Sequence, residues 1–240
     1  MYSDVKAIIK DRFDKVFAQT SGTEEMYPQE SKLRISLPIL DGKSQYIFDI
    51  KNAVTDNIVE QHLDRNDVFV MNQIGVLIGI KNKTTGVTKL YSYAPKNDGV
   101  NPSVHEVGFT DDQIESLYNG ILSWNVDNKV MLAAYPMEKF KKVPRQQGAF
   151  VLDSTDAAVS EQIQPEWSID KCLELLMPRY TIAGQRDHYI SVNFDAATLS
   201  FPVTTGYTAE LVLFIDGFLV KGGCEKIAGK NAFGDAPGNW

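Results

Sequence analysis

The chain has few of the residues from which recognisable reactive or structural centres are built. Its 240 residues include 2 cysteines, Cys172 and Cys224, and 3 histidines. Two cysteines are too few for a disulfide scaffold and match no metal-ligand spacing, so buried free thiols are favoured over a bridge. The Gly-x-Ser-x-Gly, His-Glu-x-x-His and paired Cys-x-x-Cys signatures are absent. We therefore predict neither a metal nor any other cofactor.

The histidines do not cluster in the sequence. Two of the histidines lie near an aspartate in the sequence: His62 near Asp64, and His188 beside Asp187. Such pairs occur as acid/base groups or metal ligands, because a neighbouring carboxylate can bring the pKa of an imidazole near neutral pH. His62 lies in a polar connection, His188 begins a predicted strand and His105 lies in a predicted loop, so structural roles are favoured. We predict a protein that is not an enzyme. An alternative function that stays open is a hydrolase whose reaction centre is a histidine or a carboxylate.

An excess of positive charge and a long apolar run are also missing. There are 24 Lys and Arg residues against 31 Asp and Glu residues, a net charge of -7. This balance argues against a dedicated nucleic-acid binder, which would need cations to neutralise phosphates. No apolar run reaches the roughly 18 residues of a membrane helix, and residues 1–19 mix acids and bases where a signal peptide would be apolar. We expect no membrane span and no export.

One basic cluster departs from this balance: Lys139, Lys141, Lys142 and Arg145, interleaved with Phe140. On a strand, Lys139 and Lys141 would share one face, which suits contact with an acidic partner or with nucleic-acid phosphates. A solvated outer strand face explains the cluster equally well. Both interpretations stay open.

Extended apolar sequence, by contrast, is abundant. Residues 67–93 hold two apolar segments, 68–80 and 87–93, joined by a turn over residues 82–86. Their β-branched and aromatic side chains predict a long central hairpin, in which Gly86 takes a positive φ. Because so apolar a hairpin is not solvated on both faces, another layer must cover it.

Alternating sequence predicts further strands around this hairpin. Residues 32–50 predict a β-hairpin turning at residues 41–42, and Pro38 places its strand at an edge or a bend. Strands are also predicted beside a turn at residues 127–129, over residues 190–194 and over residues 210–221. The fold class predicted is mainly β: an antiparallel β-sandwich, jelly-roll-like, single or double, with a few short helices.

The two ends of the chain differ from this pattern. Apolar residues at helical spacing predict an amphipathic helix over residues 3–19, either a lid on its own sheet or an arm on a neighbouring subunit. Residues 222–240 are interrupted by Gly and Pro and predict an extended arm. Apolar groups on such ends need a partner. The candidate subunit contacts are Val5, Ile9, Phe13, Phe17 and Trp240.

Two short helices complete the prediction. One opens at the capping box of residues 110–113 and stops at Gly120. The other is capped at Ser168 and ends before Pro178, with Cys172 and Leu176 on one face. The predicted organisation is a helix and linker arm over 1–31, a first β module over 32–148, a second over 149–221 and a C-terminal arm over 222–240.

Four segments resemble the coat and other virion structural proteins of bacteriophages: residues 34–39 (Arg-Ile-Ser-Leu-Pro-Ile), 46–50, the helix-plus-strand segment 117–123, and the closing strand 211–220. Together they contain 28 of the chain's 240 residues. The resemblance implies self-assembly into a shell or virion substructure in the host cytoplasm. Its partners would then be copies of itself and other virion proteins. No functional residue is carried over.

The alternative function is a carbohydrate- or surface-binding β-sandwich. Such a module would use aromatic side chains as stacking platforms, and the candidates are Trp124, Trp167 and Tyr207. It predicts a compact monomer with saturable glycan binding.

Overall fold

A computed structural model describes residues 2–20, 28–50, 63–92, 111–127, 129–141, 172–194 and 205–225. Within these ranges the protein is mainly β, with antiparallel sheets and two α-helices, as predicted. The strands are β1 (Gln29–Pro38), β2 (Gln45–Asp49), β3 (Val68–Asn82), β4 (Thr88–Tyr91), β5 (Ile121–Val126), β6 (Lys129–Pro136), β7 (Glu174–Ala183), β8 (His188–Asn193) and β9 (Tyr207–Val220). The helices are α1 (Tyr2–Thr20) and α2 (Asp111–Tyr118), and 3-10 helices cover Met137–Phe140 and Gly223–Glu225.

The strands form two sheets. Sheet A has the order β1-β9-β3-β4, with β7 also paired to β3, and sheet B has the order β2-β8-β5-β6. The pairs are nested along the chain: β1 with β9, β2 with β8, β3 with β7 and β5 with β6. Each sheet therefore contains strands from residues 32–148 and strands from residues 149–221.

The central hairpin is confirmed. β3 pairs with β4 through a turn in which Gly86 has a φ of 71° and the Asn82 side chain accepts the backbone N–H groups of Thr84 and Thr85. The longer partner of β3, however, is β9, which pairs with it from Val68 to Asn82. Each of these two strands is apolar along most of its length because both of its faces are buried.

The hairpin predicted over residues 32–50 is wrong in its pairing. Both strands exist, but β1 pairs with β9 in sheet A and β2 pairs with β8 in sheet B. The turn at Gly42 therefore carries the chain from one sheet to the other. Alternation fixes which face of a strand is buried but does not identify its neighbour. β1 does lie at an edge of sheet A, as Pro38 predicts.

The inner faces of both sheets share one hydrophobic core. Leu33 and Ile35 of β1 enter it from sheet A, and Phe48 of β2 and Trp124 of β5 enter it from sheet B. Burying a large apolar side chain fully contributes about 1.5–3 kcal/mol. This shared core therefore holds the two sheets together.

The outer face of sheet A is covered as well. At one end α1 contributes Val16 to a cluster with Val68, Val70 and Phe218, and at the other end Cys172 packs on Leu77 and Val212. The helix is thus a lid on its own sheet, one of the two predicted arrangements. No helix in the described residues has both the length and the apolar character needed to cross a membrane.

The helix predicted to end before Pro178 is wrong from residue 174 onward, where β7 begins. Leu175 pairs with Gln73 of β3. Cys172 and Leu176, placed on one helical face by their spacing, lie on opposite sides of sheet A: Cys172 in the outer cluster and Leu176 in the core between the sheets. A spacing of four fits a helix, but here the chain crosses the sheet edge. Residues 168–171 lie outside the described residues.

Candidate assembly surfaces

The predicted subunit contacts of α1 lie beside its own sheet. Ile9 and Phe13 pack against the cluster on the outer face of sheet A, and the Phe13 ring lies 5.2 Å from the Phe218 ring in an edge-on arrangement. Phe17 stacks on Phe13 at 6.2 Å and is exposed, while Val5 is half-buried. Trp240 lies outside the described residues. The role of these residues as contacts with another subunit stays a prediction.

Arg12 is a buried residue of α1 that the sequence interpretation missed. Only 6% of its surface is exposed. Its Nη1 donates to the Asn72 carbonyl oxygen at 3.3 Å, and its Nη2 donates to the Leu176 carbonyl oxygen at 2.5 Å and lies 3.1 Å from Met177 Sδ. The signal was available: Arg12 occupies the inward stripe, three residues after Ile9 and four before Val16.

Arg12 joins two irregularities of sheet A. Asn72 is an extra residue in β3 relative to β9, and the pairing of β7 with β3 jumps between Leu175 and Tyr180. At such places a backbone carbonyl lacks its regular ladder partner, and the guanidinium supplies donors instead. Burial lowers the pKa of Arg12 from its ordinary value, although an arginine stays protonated.

The basic cluster does not form a strand face. Residues Met137–Phe140 form a 3-10 helix in which Met137 and Phe140 are both buried. The two lysines therefore do not lie side by side on a strand. Lys141 forms an ion pair with Glu115 of α2, and Lys139 Nζ lies 5.1 Å from the centre of the Tyr135 ring. The predicted shared strand face is therefore wrong. Contact with an acidic partner or nucleic acid stays a prediction. Lys142 and Arg145 lie outside the described residues.

The candidate stacking platform Trp124 is a core residue. It is 2% exposed, and its ring lies 5.0 Å from that of Tyr180 and 5.9 Å from that of His188. Tyr207 is half-buried against the same core. His188 is buried, with Nε2 3.0 Å from the Ala183 carbonyl oxygen. Trp124 therefore has no face open to a sugar, and His188 packs as a structural residue.

The other candidate residues are outside the part of the chain described: His62, His105 and Trp167. Within that part, no three His, Cys, Asp or Glu side chains lie close enough together to hold a metal ion.

Sheet B has an outer face with exposed apolar side chains. Alternation along each strand sends one set of residues into the core and the other outward. The exposed large apolar side chains on this face are Ile47 (49%), Ile121 (45%), Val130 (63%) and Tyr189 (41%). Pairing across the strands arranges the outward residues in three rows: Gln45, Asn193, Ile121 and Pro136; Ile47, Ser191 and Ser123; Asp49, Tyr189, Asn125 and Val130.

These rows differ in height and carry little charge. The middle row is low on β8 and β5, because Ser191 and Ser123 are small and the Ser123 hydroxyl donates to the Ala133 carbonyl oxygen of β6 at 2.7 Å. On the edge strand β2 the same row carries Ile47. Among the residues of the three rows, Asp49 is the one charged side chain, and it lies at the edge of the face. Alternation in the sequence predicted outward positions, but only the pairing of the strands shows that they form one surface.

Comparison with known protein families, with curated proteins and with solved structures gave no match.

Proposed function

We propose that the protein is a virion structural protein of the coat type, which assembles with copies of itself, and that its fold is a single jelly roll. The observation that carries this proposal is the nested pairing of the strands. With the short β4 set aside, the first strand pairs with the last, the second with the next to last, and so on to the β5–β6 hairpin.

This order supports a jelly roll because it is the order that one long hairpin gives when it rolls into two four-stranded sheets. Sheet A then holds β1, β9, β3 and β7, and sheet B holds β2, β8, β5 and β6. Jelly rolls of this kind are common in viral capsid and lectin domains. The single form is favoured over the double, because one set of nested pairs includes strands from Gln29 to Val220.

The fold leaves function open between these two classes, since unrelated activities share it. Exposed apolar side chains on the outer face of sheet B favour association over sugar binding. The burial of Trp124 removes one of three platforms from the carbohydrate-binding alternative. Under this proposal the protein resides in the virion, after assembly in the host cytoplasm, and contacts other virion proteins.

Light scattering and electron microscopy of the full-length protein test the proposal. Samples of increasing concentration are compared at low and moderate salt. We expect the mass to rise with concentration and regular particles or ordered arrays to appear. A protein that stays monomeric throughout and binds glycans saturably on an array would contradict the proposal and support the alternative.

A further inference from the structure

We infer that the outer face of sheet B binds the same face of a second copy of this chain. The inference rests on the proposed self-assembly and names the surface and the partner through which it occurs. The three rows of outward residues on β2, β8, β5 and β6 form the contact.

Charge favours a second copy as the occupant of this face. The chain carries a net charge of -7, so two copies brought together by arbitrary surfaces repel each other. The rows on sheet B avoid this repulsion because Asp49 is their one charged side chain and lies on the edge strand β2. A basic partner would find few acidic groups there, whereas an identical face adds, in these rows, only a second copy of Asp49 at the edge of the contact.

The shape of the face also suits a sheet packed on a sheet. On β8 and β5 the middle row holds the small side chains Ser191 and Ser123, with Ile47 beside them on the edge strand β2. Ile121 and Tyr189 stand in the rows on either side. Packed sheets lie about 10 Å apart, and a low central row permits that approach. A two-fold axis that runs along this row places the two copies of Ser123 opposite each other.

The size of the face predicts a weak contact. With about 4.8 Å between strands and about 6.8 Å between successive outward residues, it spans roughly 19 by 20 Å, or about 400 Å² per copy. Stable complexes bury about 800 Å² per partner. We therefore expect a dimer that dissociates on dilution, as suits one of several contacts in a larger assembly.

Introducing positive charge on the surface is the first test. The double variant Ile121→Lys, Val130→Lys places two ammonium groups on the face, and the double variant Leu40→Lys, Val87→Lys makes the same change at exposed apolar residues elsewhere. Both variants lower the net negative charge equally. Sedimentation velocity over a concentration series should show a dissociation constant at least about tenfold higher for the first variant, and within about twofold of wild type for the second.

Cysteine cross-linking is the second test. Because Cys172 and Cys224 are buried free thiols, a new surface thiol reports on its own surroundings. Under mild oxidation Ser123→Cys should form a covalent dimer, while Thr85→Cys at the exposed β3–β4 turn should not. Equal cross-linking of both would overturn the inference.

The outcomes separate the inference from the proposed function. If the wild-type protein assembles and the variant at Ile121 and Val130 assembles equally well, the contact lies elsewhere: the inference fails and the proposed function stands. If the wild-type protein is monomeric at every concentration, both fail. Circular dichroism and thermal melting confirm that each variant remains folded.

Discussion

The two sheets differ in what lies on their outer faces. In sheet A, α1 and Cys172 cover β3 and β9, and both strands are apolar nearly throughout. In sheet B the strands alternate between core and solvent, and the outer face carries exposed Ile47 and Tyr189. In this protein the continuously apolar strands belong to the sheet that is covered by its own chain, whereas the alternating strands leave apolar side chains exposed on the outer face.

Placing a charge on each outer face tests this comparison most strongly. Val70→Asp buries a carboxylate beneath α1, so we expect the free energy of unfolding to fall by about 3 kcal/mol or more. Ile47→Asp on sheet B stays in contact with water and should change it by no more than about 0.5 kcal/mol. Urea denaturation measures both. Equal losses would mean that the two faces are covered alike.

Removing the guanidinium of Arg12 tests what holds α1 on the outer face of sheet A. Arg12→Ala leaves the carbonyl groups of Asn72 and Leu176 without their donors, and we expect a loss of about 2–3 kcal/mol. Lys15→Ala is the control, because it removes only an exposed ion pair with Asp11, which contributes about 0.5 kcal/mol or less. Hydrogen exchange should show faster exchange in β7 for the Arg12 variant alone. Identical exchange in both variants would contradict this role.

The two phenylalanines of α1 distinguish a side chain that packs on sheet A from one that is exposed to solvent. Phe13→Ala removes the ring packed on Phe218, and we expect a loss of about 1–2 kcal/mol because Phe13 is half-buried. Phe17→Ala should cost about 0.5 kcal/mol or less. Thermal melting ranks the two. A larger loss for Phe17 would show that the helix packs through a different face.

An effect confined to high pH concerns Tyr135, which packs against the core between the sheets. Burial, aided by Glu174 and Tyr180, raises the pKa of Tyr135 to about 12. The unfolded chain loses this proton near pH 10, so the free energy of unfolding should fall as the pH rises from 10 through 12. Tyr135→Phe should make that fall less steep. Denaturation at pH 9 and pH 11 measures the slope, and an unchanged slope would place the phenol in water.

Sequence patterns predicted the elements better than their pairing. The turn at Gly86, the β5–β6 hairpin and the strand ending near Val220 follow from local residue preferences, and the structure has all three. The partners of β1 and β2 lie more than 100 residues away in β9 and β8, and no local signal specifies them. For the same reason the face on sheet B could not be predicted as one surface.

Arg12 and residues 172–176 show a second limit. The position of Arg12 on the apolar helical stripe indicates that it is buried, but the carbonyl groups that bind it belong to distant strands and have no local signal in the sequence. The spacing of Cys172 and Leu176 fits a helix, yet tertiary pairing with β3 extends the chain there. In both cases a contact between remote parts of the chain decides the local structure.

The position of β9 between β1 and β3 has a consequence for how the chain folds during synthesis. Sheet A cannot close until the ribosome has released residues 207–220, because β9 is the strand that joins β1 to β3 in the described part of the sheet. Pairings so distant in sequence make folding slow. Until the last strand arrives, the apolar edges of β1 and β3 are open to other nascent chains, and for that interval the cell must keep the polypeptide from aggregating.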